Sequence, residues 1–128
     1  MRFRMENYYE GAEGQYVLGV SSRIDGNIHS LFVDVDKCDR LGELIENLYE
    51  VQERFDLATF YMVQSSPFKW HCSSFVARKW DEILDILCFL KDRGMVEPEY
   101  VYQSMRKGYC VLRTSSKDGI VPEVKYQI

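Results

Sequence analysis

The sequence predicts an α+β sandwich in which two helices pack on one face of a mostly antiparallel sheet and leave the other face open. Three observations support this fold class: strand–turn–strand patterns, amphipathic helical segments, and their order along the chain, which is hairpin, helix, hairpin, helix and strand. A chain of 128 residues can form one hydrophobic core without disulfides. We expect an irregular arm over residues 1–15 and a single domain over residues 16–128.

The returning strand of the first hairpin carries two carboxylates. An apolar strand over residues 16–22 leads to Asp25-Gly26, a dipeptide typical of tight hairpin turns. The chain returns through residues 31–36, which read Leu-Phe-Val-Asp-Val-Asp. Because side chains alternate between the faces of a strand, Asp34 and Asp36 share one face, and Leu31, Val33 and Val35 share the other.

The paired aspartates have two interpretations. Adjacent carboxylates repel each other unless a cation lies between them, and their hard oxygen atoms suit Mg²⁺ or Mn²⁺. Alternatively, a buried strand runs into a solvated acidic turn that ends at Asp39. His29 has the parity of the apolar residues in this strand, so we interpret it as structural.

The two helices flank a second hairpin. Residues 39–55 and 79–93 repeat apolar residues at helical spacing, with Asp39 as the expected cap of the first helix. Between them, residues 59–64 form a strand, Ser65-Ser66-Pro67 a turn, and residues 68–75 the returning strand. On that strand Lys69 and His71 share a face, and because lysine is rarely buried, we expect this face to be open and polar.

The last third of the chain is expected to be less regular. Glu97-Pro98-Glu99 opens a short helical or turn segment, because proline suits a first helical position. Residues 109–113 form a further strand, a polar loop follows over residues 114–119, and residues 121–128 form an edge strand.

Composition restricts the classes of function. The net charge of −4 produces no overall basic field, so nucleic-acid binding would depend on a local patch. The four cysteines have no C-x-x-C spacing, which disfavours a zinc knuckle. With no signal peptide, membrane-spanning run or lipidation motif, we expect a cytoplasmic (intracellular) protein with reduced thiols and no membrane partner. The nine tyrosines suit either sheet packing or base stacking.

In order and spacing, these motifs resemble the archaeo-eukaryotic primase superfamily, whose catalytic unit is an RRM-like sandwich. The family's hhhDhD strand is similar to residues 31–36, and its small-x-His hairpin is similar to residues 65–71. Its third motif, a hydrophobic residue and a carboxylate followed by an arginine and a Ser-x-x-Lys-like loop, is similar to Val96-Glu97 together with residues 112–119. The resemblance covers about residues 16–122, and Lys69 departs from it by replacing the small residue.

The resemblance implies a minimal primase-like nucleotidyltransferase that binds a nucleoside triphosphate with Mg²⁺ or Mn²⁺ in DNA replication or repair. Asp34, Asp36 and His71 would be catalytic. The two aspartates would hold the metal, with Glu97 or Asp118 as the third carboxylate. Four further residues would bind the substrate: Ser66, Lys69, Arg113 and Lys117.

A second hypothesis is a non-catalytic RRM-like module that binds single-stranded DNA or RNA, or a larger replication subunit. Lys69, Trp70, Arg113 and exposed tyrosines would form its surface, because bases stack on aromatic rings along a charged groove. Geometry distinguishes the two hypotheses. Catalysis requires His71 and both aspartates to converge on one phosphate-sized space, whereas binding tolerates their separation.

Overall fold

The described part of the chain alternates strands and helices. The computed structural model describes residues 5–10, 15–113 and 123–128. The elements, in chain order, are β1 (Met5–Glu10), β2 (Gln15–Ser21), β3 (Arg23–Asp25), β4 (Ile28–Val35), α1 (Leu41–Phe55), β5 (Phe60–Ser66), β6 (Lys69–Lys79), α2 (Trp80–Asp92), α3 (Pro98–Lys107), β7 (Val111–Arg113) and β8 (Glu123–Gln127).

A five-stranded antiparallel sheet forms the centre of the fold. Its strand order is β3-β4-β6-β5-β8, so β6 lies between the two strands that flank α1. The segment β4-α1-β5-β6-α2 with this order is consistent with an RRM-like sandwich. The predicted α+β fold class, with a mostly antiparallel sheet, is confirmed.

A second, three-stranded sheet has the order β1-β2-β7. The chain passes from this sheet into the large one at Ser22, whose N–H donates to Cys110 O at 2.8 Å and whose carbonyl accepts the N–H of Ser30 at 2.9 Å. The sequence predicted one sheet and an irregular arm over residues 1–15. That prediction is wrong over Met5–Glu10, which pairs along its whole length with β2. Strand pairing of this kind is not visible in a local pattern, because it depends on the partner.

The hydrophobic core lies on the face of β4 that carries Leu31, Val33 and Val35, as the sequence predicted. We call this the core face. Opposite residues on neighbouring strands share a face, so Trp70 and Cys72 of β6 also lie on it. Helices α1 and α2 contribute seven further buried apolar side chains, namely Leu44, Leu48, Val51, Ile83, Ile86, Leu87 and Leu90. The opposite face of the large sheet is the outer face.

Local details differ from the expectations in three places. Arg40, not Asp39, is the N-cap residue of α1, and no side chain caps this helix. The turn between β5 and β6 is Pro67-Phe68. The segment after α2 is a complete third helix, α3, whose tertiary contacts with α2 and β4 extend it beyond a single turn. No helix among the described residues has the length and apolar character needed to cross a bilayer.

Candidate functional site

Asp34 and His71 face each other across the centre of the outer face. Asp34 lies opposite His71 in the β4–β6 register, and Val63 of β5 continues the same row. The Nε2 atom of His71 is 3.5 Å from Oδ1 of Asp34, and both side chains are mostly buried. A carboxylate beside an imidazole can stabilise the protonated ring or orient its neutral form. The structure therefore brings together two of the three residues predicted to be catalytic.

The groups around this pair are not reactive nucleophiles. Burial raises the pKa of the Cys72 thiol far above its usual value, with smaller contributions from Cys38 and Asp34. Burial likewise raises the pKa of the Tyr100 phenol, and Cys110 and Asp34 add to the effect. A thiol that stays protonated is a poor nucleophile. Covalent catalysis through these groups is therefore not supported.

An aromatic cluster lies beside the pair on the outer face. Phe75 of β6 is 44% exposed. Its ring centroid lies 5.5 Å from that of Tyr61 on β5 and 6.5 Å from that of Phe32 on β4, the latter in an edge-to-face arrangement. Phe32 is buried, whereas Tyr61 is partly exposed. We call Phe32, Tyr61 and Phe75 the outer aromatic cluster, in which a buried ring supports two accessible ones.

Sequence reasoning selected the wrong aromatic residue on β6. Trp70 is only 6% exposed and lies on the core face, where its ring is 5.7 Å from that of Tyr126. It cannot stack on a base without leaving the core. Phe75 has the parity of Lys69 and His71, so strand alternation alone could have placed it on the outer face.

Asp36 does not belong to the strand that carries Asp34. It lies just beyond the end of β4 and lines a hollow of about 370 Å³ between two loops, together with Lys37, Asp39, Pro67 and Phe68. Asp36 was expected to act beside Asp34, but the chain bends directly after Val35, where the strand ends. Strand alternation no longer applies beyond that point.

Among the described residues, the predicted metal ligands form no cluster of three. Glu97 is the N-cap residue of α3. Among residues 5–10, 15–113 and 123–128, no three His, Cys, Asp or Glu side chains are close enough to hold a metal ion. Mg²⁺ can bind through one or two carboxylates and keep several waters. Binding of Mg²⁺ or Mn²⁺ at Asp34 and Asp36 therefore stays a prediction.

The residues predicted to bind substrate are dispersed. Ser66 pairs with Lys69 across the base of the hairpin turn, and Lys69 is exposed. Arg113 was placed on the open face of the sheet that carries the aspartates, but its strand pairs with β2 in the small sheet. Lys117 and Asp118 lie outside the described residues. Of this set, only Ser66 and Lys69 are shown together, at the tip of the β5–β6 hairpin.

Comparisons with known proteins do not assign this chain to a family. The chain matches no protein-family model, no curated protein and no solved structure.

Proposed function

We propose that this chain is an RRM-like module that binds single-stranded nucleic acid on the outer face of its large sheet. The outer aromatic cluster is the observation that carries the proposal. Tyr61 and Phe75 present accessible rings on two adjacent central strands, and Phe32 contacts the Phe75 ring edge-to-face. Each base stacked on such a ring contributes about 1–3 kcal/mol.

The polar residues of β6 complete this surface. Lys69, His71, Ser73 and Phe75 alternate with core residues and therefore follow one another along the outer face. A lysine, an imidazole and a hydroxyl group can contact phosphate and sugar oxygens beside the stacked bases. Because the net charge is −4, stacking rather than a basic field supplies most of the affinity.

The cysteines support an intracellular setting. All four are free, and Cys72 and Cys110 are buried. Disulfides accumulate in oxidising compartments, and free thiols are usual in reducing ones. We accordingly propose that the module acts in the cytoplasm.

Replacement of Phe75 tests the proposal. We expect Phe75→Ala to weaken binding of an oligothymidylate octamer at least fivefold, measured by fluorescence anisotropy, because a stacking platform is lost. Tyr49→Ala is the matched control, since Tyr49 is an aromatic residue on α1 that is 52% exposed, against 44% for Phe75. Melting curves of both variants verify folding. The proposal is rejected if the octamer does not bind at millimolar concentration, or if both variants weaken binding equally.

The Asp34–His71 pair supports a second candidate, a primase-like nucleotidyltransferase that uses Mg²⁺ or Mn²⁺. In that function His71 would contact a triphosphate oxygen, and the metal would require ligands beyond Asp34. Isothermal titration of a nucleoside triphosphate with and without Mn²⁺ tests this candidate. Binding that requires Mn²⁺ and is abolished by Asp34→Asn would support it, whereas metal-independent or absent binding would reject it.

A further inference from the structure

The Asp34 carboxylate lies one row away from the outer aromatic cluster. Phe32 and Tyr61 of this cluster are both opposite Ser73 of β6 in the strand register. Asp34 is opposite His71, two residues further along the same face. Two residues of a strand span about 7 Å. The nucleotide that follows a base stacked on the cluster can therefore reach the row that contains Asp34.

The contact with His71 decides which oxygen atom of this carboxylate a ligand can reach. Oδ1 of Asp34 is buried and lies 3.5 Å from Nε2 of His71. The Asp34 side chain as a whole is nevertheless 27% exposed. A ligand that contacts this carboxylate from the outer face therefore contacts Oδ2, because Oδ1 is turned toward the imidazole.

The chemistry of a carboxylate distinguishes the two kinds of nucleic-acid backbone. An ionised carboxylate only accepts hydrogen bonds. Phosphate oxygens are also acceptors and carry charge of the same sign, so Asp34 repels the phosphates of RNA and DNA alike. The ribose 2′-hydroxyl is a donor as well as an acceptor, and deoxyribose lacks it. An RNA backbone therefore offers Asp34 a hydrogen-bond donor, and a DNA backbone offers none.

We propose that the outer face selects RNA over DNA, with Oδ2 of Asp34 accepting a hydrogen bond from a ribose 2′-hydroxyl. The inference rests on the proposed single-strand binding and specifies the class of nucleic acid. Tyr61 and Phe75 stack on bases and Lys69 contacts phosphates, so these three side chains do not distinguish the two sugars. Asp34 weakens binding of both backbones by repulsion and offsets this loss only for RNA.

The test compares octamers of uridylate and 2′-deoxyuridylate by fluorescence anisotropy, because the two differ only in the 2′-hydroxyl. Measurement in EDTA excludes a contribution from a metal ion at Asp34. We expect uridylate to bind about tenfold more tightly, the scale of a hydrogen bond to a charged group. An octamer of 2′-fluoro-2′-deoxyuridylate, whose sugar resembles ribose in shape but cannot donate a hydrogen bond, should bind as the deoxyuridylate octamer does.

Replacement of Asp34 tests the residue itself. Asp34→Ala should bring the ratio of the two affinities close to one, chiefly by strengthening binding of the deoxyuridylate octamer. Asp39→Ala is the matched control, because it removes the same charge from an exposed position in the loop after β4 and should preserve the ratio. Melting curves of both variants verify folding.

The outcomes separate the RNA preference from the proposed function. A wild-type ratio near one overturns the preference, and so does uridylate-like affinity of the 2′-fluoro octamer or a ratio that survives in folded Asp34→Ala. If Phe75→Ala still weakens octamer binding in that case, the proposed function stands alone. If none of the octamers binds, both proposals are overturned. The 2′-fluoro comparison uses the unaltered protein, so it is decisive even where Asp34→Ala does not fold.

Discussion

At the scale of single residues, Ser22 and His29 form a buried polar contact. Oγ of Ser22 accepts the N–H of Cys110 at 2.9 Å and lies 2.9 Å from Nδ1 of His29. A neutral imidazole can accept the Ser22 hydroxyl proton at Nδ1. The His29 ring also lies 4.6 Å from that of Trp80. The structure thus confirms His29 as a structural residue that faces the core.

The environment of His29 makes the stability of the fold sensitive to acid. Burial lowers the pKa of His29 below 6.5, and the nearby Arg23 guanidinium lowers it further. As the pH falls below about 6.5, the unfolded chain takes up the proton before the folded one, so stability decreases. We expect the urea midpoint to fall between pH 7.5 and pH 5.5, and His29→Gln to reduce that fall.

His71→Gln is the control for this experiment, because the chain has only two histidines. It keeps His29 and should keep the acid sensitivity. If His71→Gln removes the sensitivity and His29→Gln does not, the titrating group has been misassigned.

At the scale of elements, α3 covers the part of the β4 edge that β3 leaves unpaired. β3 pairs only with the first residues of β4, Ile28 and His29. Further along β4, the hydroxyl of Tyr100 in α3 donates to the carbonyl oxygen of Phe32 at 2.7 Å. A helix that satisfies an edge carbonyl protects the strand from pairing with other chains. This contact also places Tyr100 close to Asp34.

Tyr100→Phe removes this contact, together with the interactions of the same hydroxyl with Ser104 and Cys110. We expect the variant to lose about 1–2 kcal/mol of unfolding free energy, because a buried carbonyl loses its partner while the ring is retained. Tyr102→Phe removes a hydroxyl from the same helix at a position that is 50% exposed, and should change stability by less than about 0.5 kcal/mol. Equal effects in urea denaturation would show that α3 does not hold β4 through this bond.

At the scale of the whole molecule, the net charge disfavours long-range attraction of nucleic acid, whereas the exposed aromatic rings favour stacking of bases. The chain carries 16 basic and 20 acidic residues. A phosphate backbone is therefore not attracted from a distance, and contact depends on the outer aromatic cluster and on Lys69, at the other end of the same face of β6. Such binding should be weakly sensitive to salt, since few counterions are released.

The salt dependence of octamer binding provides the measurement. Contact of one or two lysines with phosphate corresponds to a slope of about −0.7 to −1.4 in log affinity against log salt concentration for a single strand. Lys69→Gln should make the slope shallower by about 0.7, and Lys107→Gln, in the last turn of α3, should not change it. A slope steeper than about −3 would contradict a stacking-dominated site.

The sequence by itself determined the local elements and the faces of the central strands. The period of α1 and the alternation of residues 31–35 are local properties, because backbone geometry sets both repeats. They correctly placed Leu31, Val33 and Val35 in the core and His71 on the same face as Asp34. The α+β class followed from the order of these elements.

Only the tertiary structure decided which of these residues meet. Strand register placed Asp34 opposite His71, and the bend after Val35 directed Asp36 to the hairpin tip. Tertiary packing also set how far each ring is exposed, 6% for Trp70 and 44% for Phe75. Residues 5–10 form a strand, β1, because they pair with β2. Helix α3 is stabilised by its contact with β4. Register, bending and burial depend on partners that are distant in the chain, so no local pattern contains them.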